Sequence, residues 1–284
     1  MLLIVGIDSL LGTALARSAN LYGMPWQGTS RRMGCKWRVD LSESPEKWQL
    51  PHDSKTAIIC AGITNISLCE NNPESTRLVN VDATYELASR LNANGCRVAL
   101  LSSTQVFDPH LSAPPEESSV PSPFNQYGRQ KVQLEREFLS LAPENLVIRL
   151  TKVVHANMPL VQGWKQRWGR GEPVDAYLDY YLAPISQDFF ASSTMDILEA
   201  ETGGVFHLGP MDVISYYEFA KWLAGFWNIS VELVNPAHSP SPHSPQSALL
   251  DCRHSARSVG LSIPTAHESL ASAFACTATP ILVS

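Results

Sequence analysis

The sequence predicts an α/β fold of the doubly wound kind: a parallel sheet flanked by helices, with a smaller C-terminal lobe that would take a substrate. Three observations carry this expectation. Short apolar runs alternate with helix-patterned stretches through the first half of the chain, the signature of a parallel sheet. The first run opens into a glycine-bearing turn, Gly6 to Gly12. Beyond Arg149 the rhythm changes and aromatic residues crowd in.

The elements read off in order. Leu2-Leu3-Ile4-Val5 is a buried strand, and Leu11 to Leu21 follows with helical spacing. Met24 to Thr29 and Ala57 to Ala61 are further strands, and Glu74 to Asn92 is a long amphipathic helix. Arg97 to Leu101 is a strand that ends at Ser102-Ser103; Gln126 to Leu141 is a helix, and Leu146 to Leu150 a strand. Trp164 to Trp168 reads as helix, Asp175 to Pro184 as an aromatic loop and Val205 to Leu208 as a strand. Ser215 to Trp227 is a helix with Ser215 as N-cap and Glu218 completing a capping box. Asn235 to Gln246, rich in Pro, Ser and His, reads as an exposed loop of low order. The expected division is residues 1–152 for a dinucleotide-binding Rossmann-type domain, with 182–208 returning to it, and 153–181 plus 209–284 for the substrate lobe.

At 284 residues, 44% of them hydrophobic, the chain can build a full core. Its 21 bases against 27 acids leave a net charge of −6, which argues against nucleic-acid binding through a broad basic face. The six cysteines form no C-x-x-C pair, so free thiols in a reducing, cytoplasmic setting are expected. The apolar N-terminal stretch is too short for a signal peptide and no run approaches a membrane span, so no membrane association is expected. His238 and His243 sit on the Pro/Ser loop without a neighbouring acid or thiol in sequence, and no metal is expected.

Tyr127-Gly-Arg-Gln-Lys131 places a phenol and an ammonium on one helix face, one turn apart. A lysine there favours the phenolate, so the tyrosine is expected to exchange a proton below its ordinary pKa. That suits chemistry at a carbonyl or an alcohol. The turn Gly6-Ile7-Asp8-Ser9-Leu10-Leu11-Gly12 enters a helix whose N-terminus would meet a pyrophosphate. Ser9 stands where the usual three-glycine spacing has its middle glycine, and Asp8 adds a negative charge. Both weaken such a site unless Asp8 caps the helix and points away; the alternative is a turn that binds nothing. Ser30, Arg31 and Arg32 follow the second strand, where arginines favour the 2′-phosphate of NADP, and Asp40 stands ready for the adenine amine.

Together these segments resemble the extended short-chain dehydrogenase/reductases, and within them the dTDP-4-dehydrorhamnose reductase family of sugar-nucleotide-binding proteins. The likeness rests on Ala61-Gly62-Ile63-Thr64, on Glu70-Asn-Asn-Pro73-Glu74 with Val79-Asn80, on Ser102-Ser103-Thr104-Gln105-Val106-Phe107, on Tyr127 to Lys131 and on Arg149 to Val153. Tyr181-Leu182-Ala183-Pro184-Ile185, Val205 to Leu208 and Tyr217 to Ala220 continue it. The resemblance implies Ser103, Tyr127 and Lys131 as catalytic residues. Ser103 would bond the substrate carbonyl, Tyr127 would give the proton, and Lys131 would lower the tyrosine pKa and hold the nicotinamide ribose. It implies NADPH as cofactor, with NADH as an alternative, held by Gly6, Asp8, Ser9, Leu10, Leu11, Gly12, Ser30, Arg31, Arg32, Asp40, Leu41, Ala61, Gly62, Ile63, Asn80, Tyr127 and Lys131. It implies a nucleotide-sugar substrate met by Thr64, Thr104, Gln105, Trp164, Arg167 and Tyr181, and is compatible with a homodimer.

Thr104-Gln105 replaces the Asp-Glu pair that related 4,6-dehydratases use for elimination, so dehydration is not expected. The basic-aromatic run Trp164 to Arg170 reads either as a grip on a sugar diphosphate or as a helix with a solvated basic face. Three functions remain open on sequence: a reductase of a keto group on a nucleotide-linked deoxysugar; a non-catalytic binding protein, as is the regulatory subunit of methionine adenosyltransferase; or a reductase or epimerase of a non-sugar carbonyl.

Overall fold

The computed structural model describes residues 1–200, 202–240 and 248–275. Its elements are β1 (Leu2–Val5), α1 (Leu10–Leu21), β2 (Trp26–Thr29), β3 (Thr56–Ile59), α2 (Ile66–Asn71), α3 (Pro73–Arg77), α4 (Thr84–Ala93), β4 (Arg97–Ser103), α5 (Gln126–Leu139) and β5 (Leu146–Leu150). There follow β6 (Lys152–Val153), α6 (Pro159–Gly169), β7 (Val174–Tyr177), β8 (Tyr181–Leu182), β9 (Pro184–Ile185), α7 (Gln187–Glu199) and β10 (Gly204–Leu208). The chain continues with β11 (Ile214–Ser215), α8 (Tyr216–Phe226), β12 (Val234–Ala237), α9 (Arg253–Val259) and α10 (Ala266–Phe274).

Six strands form one parallel sheet in the order β10-β5-β4-β3-β1-β2. The chain runs outward from β1 to β2, then crosses back to β3, so the order reverses between β1 and β3. Side chains alternate between the sheet faces. Leu2, Ile4, Ile58 and Ile148 face Leu15 of α1 and Phe190 of α7. Leu3, Val5, Ile59 and Val147 face Leu87 of α4 and Leu134 of α5. Both faces are covered, which is why the strands read as unbroken apolar runs rather than alternating ones.

A second core lies in the C-terminal lobe, among α6, α8 and α10. Trp168, Trp227, Phe219 and Phe274 are fully buried there, each burial stabilising the lobe by about 1.5–3 kcal/mol. Ser215 caps α8 and Glu218 returns to the Ser215 backbone, the reciprocal box the sequence predicts.

Several expectations change. The helix expected over Glu74 to Asn92 is three pieces, α3 and α4 joined by a π-helical segment over Leu78–Ala83. Short α2 was not anticipated. The Asp175 to Pro184 stretch, expected as loop, carries β7 to β9, because its partners lie far away in sequence: β7 pairs β12 and β8 pairs β11. The Asn235 to Gln246 stretch likewise begins in strand, and His238 Nδ1 lies 3.3 Å from Asp179 Oδ2. An acid does neighbour that histidine, supplied across 59 residues of chain. His243 lies outside the described residues. Helix α9, placed by sequence in the lobe, packs on β10, with Ser255 Oγ accepting from the His207 amide at 2.7 Å. Among the described residues no helix is long and apolar enough to cross a membrane, and the five described cysteines are free.

Candidate active site

The reversal between β1 and β3 sets Gly6 against Ala61, and ligands of doubly wound sheets bind in such crevices. Gly6 has φ +85°, where side chains are strained, and a Cβ there would meet the Ala61 nitrogen at 3.1 Å. A Cβ on Gly12 would stand 2.3 Å from the Gly6 carbonyl oxygen, so α1 starts this close to β1 only with glycine. Ser9 does not obstruct the turn. Its hydroxyl folds back to accept from the Gly12 N–H at 3.0 Å and caps the helix. The N–H groups of Leu10 and Leu11 have no intrahelical partner and remain for an anion. Asp8 is not the cap. Its carboxylate accepts from the Ser30 hydroxyl and lies 3.5 Å from Arg32 Nε.

A cavity of about 420 Å³ opens here. Gly6, Asp8 and Ser9 line it from the turn; Ser30, Arg31, Arg32, Asp40 and Leu41 from beyond β2; and Ala61, Gly62 and Ile63 from the end of β3. Val39, Ser42, Cys60 and Val79 complete the wall and were missed; their only sequence signal is adjacency to Asp40, Ala61 and Asn80. The Ser42 hydroxyl and amide both bond Asp40 and, with nearby Arg38, hold its carboxyl below the usual range. Asn80 does not line the cavity. It is 2% exposed and sits behind the wall, accepting from the Ile63 N–H at 2.7 Å and donating to the Ile63 carbonyl at 2.9 Å.

The residues expected to handle the proton lie on β4 and α5, which pack together at the end of β4. Ser103 is its last residue and accepts from the Gln105 N–H at 3.3 Å. Helix α5 begins at the Asn125 cap, whose carbonyl accepts from Gly128 N–H at 2.8 Å while its amide donates to Gln105 Oε1 at 2.6 Å. A Cβ on Gly128 would stand 1.9 Å from the Gln105 carbonyl oxygen. That glycine lets α5 press onto the turn after Ser103. One turn on, Lys131 Nζ donates to the Leu101 carbonyl at 2.9 Å, two residues before Ser103, and lies 5.8 Å from the Tyr127 ring centre. Lys131 is thereby tied to the strand that ends at Ser103, with Tyr127 one turn before it on α5.

Their electrostatics differ from the sequence expectation. Tyr127 is not held low by Lys131. Burial raises its pKa above the ordinary phenol value, because a buried phenolate loses its solvation. Burial also pushes Lys131 down to about 8, with Glu135 partly opposing.

The expected substrate residues scatter. Thr104 and Gln105 line a second cavity of about 340 Å³, with Phe107, Phe124, Asn125 and Tyr180. Tyr181 turns instead into a separate open cavity with Tyr217, Lys221 and Trp222. Adjacent residues in extended chain point oppositely, so the cleft beside Gln105 receives Tyr180. Trp164 is 6% exposed and packs between Trp168 and Phe219, so its indole fills the lobe core and has no face for a ligand. Arg167 is exposed and lies 3.8 Å from Glu172, on the solvated side of α6, and Thr64 is exposed beyond β3; neither lines these cavities.

The chain is similar to known proteins over most of its length. The chain is 25% identical over 285 residues to the probable low-salt glycan biosynthesis reductase Agl14 of Haloferax volcanii, covering 94% of this chain and 95% of that one. It is 25% identical over 283 residues to methionine adenosyltransferase 2 subunit beta of Bos taurus, covering 88% and 80%. The structure of dTDP-4-dehydrorhamnose reductase from Bacillus anthracis in complex with NADP matches with a TM-score of 0.84 at 19% identity, covering 97% and 98%. Residues 1–278 match the family described as RmlD substrate binding domain, and the chain belongs to that family.

Proposed function

We propose that this protein reduces a keto group on a nucleotide-linked deoxysugar, with NADPH as hydride donor and NADH as an alternative, in the cytoplasm. The carrying observation is the Lys131–Leu101 hydrogen bond, which ties the helix bearing Tyr127 to the strand that ends at Ser103. The glycine turn fits a dinucleotide: Ser9 has withdrawn into the helix cap, and the absence of a Cβ at Gly12 lets α1 start close against the Gly6 carbonyl. The turn and the end of β3 would hold its pyrophosphate, and Ser30 to Arg32 with Asp40 its adenosine end. The name of the Bacillus protein, a dTDP-4-dehydrorhamnose reductase, supports this substrate class, and that of the Haloferax protein, a probable glycan biosynthesis reductase, supports a reductase.

When bound, the reduced nicotinamide supplies hydride to the carbonyl carbon. The chain's residues do the rest. Ser103 holds the carbonyl oxygen by hydrogen bond. Tyr127, protonated through the neutral range because of its burial, gives that oxygen its proton. Lys131 opposes the phenolate charge left behind. Thr104 and Gln105 contribute hydrogen bonds at the cleft and neither is a carboxylate; Asp108 also lines it, its carboxylate accepting from the His110 N–H at 2.9 Å.

A Tyr127→Phe variant tests this. NADPH oxidation with dTDP-4-keto-6-deoxyglucose should fall by roughly 10²–10⁴-fold while NADPH binding persists. Unchanged turnover would remove the mechanism. A second reading, a non-catalytic binding protein of the same fold, draws on the likeness to methionine adenosyltransferase 2 subunit beta. Turnover by the wild-type chain that is lost in the variant excludes it.

A further inference from the structure

The rim of the first cavity carries opposite charges side by side. Ser30 is 3% exposed, and its hydroxyl donates to the Asp8 carboxylate while accepting from the Arg32 N–H at 3.0 Å. Arg32 Nε lies 3.5 Å from the same carboxylate oxygen. Arg31 stands beside them on the cavity wall and makes no salt bridge among the described residues. Two further charges flank the rim: Asp40, bonded by Ser42 and close enough to Arg38 and Arg31 for both to lower its pKa, and Arg38, held by Glu43 at 2.7 Å through two bonds.

The end of β2 is where an adenosine ribose presents its 2′-substituent in this fold. Two guanidiniums alone would select a 2′-phosphate strongly. A carboxylate held beside Arg32 does two things: it engages that guanidinium, and it repels a phosphate dianion. It also offers an acceptor to an unsubstituted 2′-hydroxyl. We propose that Asp8 sets the cofactor choice of this protein, tempering the arginine pair so that the site takes the 2′-hydroxyl of NADH as well as the 2′-phosphate of NADPH. This rests on the dinucleotide reading above.

The test needs no turnover. Adenosine 5′-monophosphate and adenosine 2′,5′-bisphosphate differ only in the 2′-phosphate, and calorimetry gives the ratio of their affinities. Asp8→Asn keeps an acceptor for Ser30 and removes the charge. The ratio should move about five- to tenfold toward the bisphosphate. Arg32→Gln should move it the other way, and raising the salt concentration should shrink both shifts. An unchanged ratio in Asp8→Asn, with both ligands still bound, overturns the inference and leaves the dinucleotide reading standing. A wild-type chain that binds neither nucleotide nor NADPH at millimolar concentration overturns both.

Discussion

The Asn80 side-chain amide donates to Gln130 Oε1 at 2.9 Å, with both side chains 2% exposed. This contact joins the cofactor-side loop to the helix that carries Tyr127 and Lys131. Asn80 holds both the N–H and the carbonyl of Ile63. Gln130 continues the network to the Pro73 carbonyl at 3.1 Å and the Thr76 hydroxyl at 2.9 Å. Asn80 sits in the π-helical segment, whose wider turn departs from regular helix phase, as such segments often do at functional sites.

Asn80→Ala should therefore strip the Ile63 N–H of its partner and leave the buried Gln130 Oε1 without its donor. The expected loss is about 2–3 kcal/mol, read by urea denaturation. The KM for NADPH should rise more than kcat falls, because the loop moves and the proton donor stays. A variant that loses stability with KM unchanged would show that the loop is held by other contacts.

Lys131 should govern the alkaline limb of the pH profile. Burial sets it near 8 and keeps Tyr127 protonated well above that. As pH rises, the ammonium loses its proton first, so kcat/KM for reduction should decline above about pH 8. Lys131→Arg keeps a charge at every accessible pH. Its profile should lose that limb even where the maximal rate is lower. A limb that stays at the same pH in the arginine variant would assign it to another group.

His207 should contribute an acid-sensitive part of the stability. It is fully buried between strands and helix, with Nδ1 3.1 Å from the Asp251 carbonyl and Nε2 3.3 Å from Arg149 Nη1. These partners assign the proton to Nδ1. Burial pushes the imidazole down to about 4, Glu117 opposing and Arg149 assisting. The unfolded chain takes up that proton near 6.5 and the native chain only near 4, so stability falls as pH drops through that window and is unaffected above it. The loss should be on the order of 3 kcal/mol. In His207→Gln, melting temperature should fall less steeply between pH 6.5 and 4 than in the wild type; parallel slopes would exclude the histidine.

The local order of this protein was legible in its residues. Apolar runs marked the sheet strands, because strands buried on both faces need apolar residues at every position. The Ser215–Glu218 box and the four-residue spacing of Tyr127 and Lys131 could be read because each interaction spans one helical turn. The glycine turn was legible too, though not that Ser9 would spend its hydroxyl on the Gly12 amide.

Long-range packing decided the rest. It placed Trp164 in a core, sent Tyr180 rather than Tyr181 to the cleft, and turned Asn80 from a cavity residue into a clamp behind the wall. It also reversed the expected direction at Tyr127, since desolvation depends on everything packed around the phenol and no four-residue motif contains that. Local hydrogen bonds and side-chain periodicity are written in neighbouring residues. Burial, and the charge states that follow from it, are properties of contacts between residues distant in sequence.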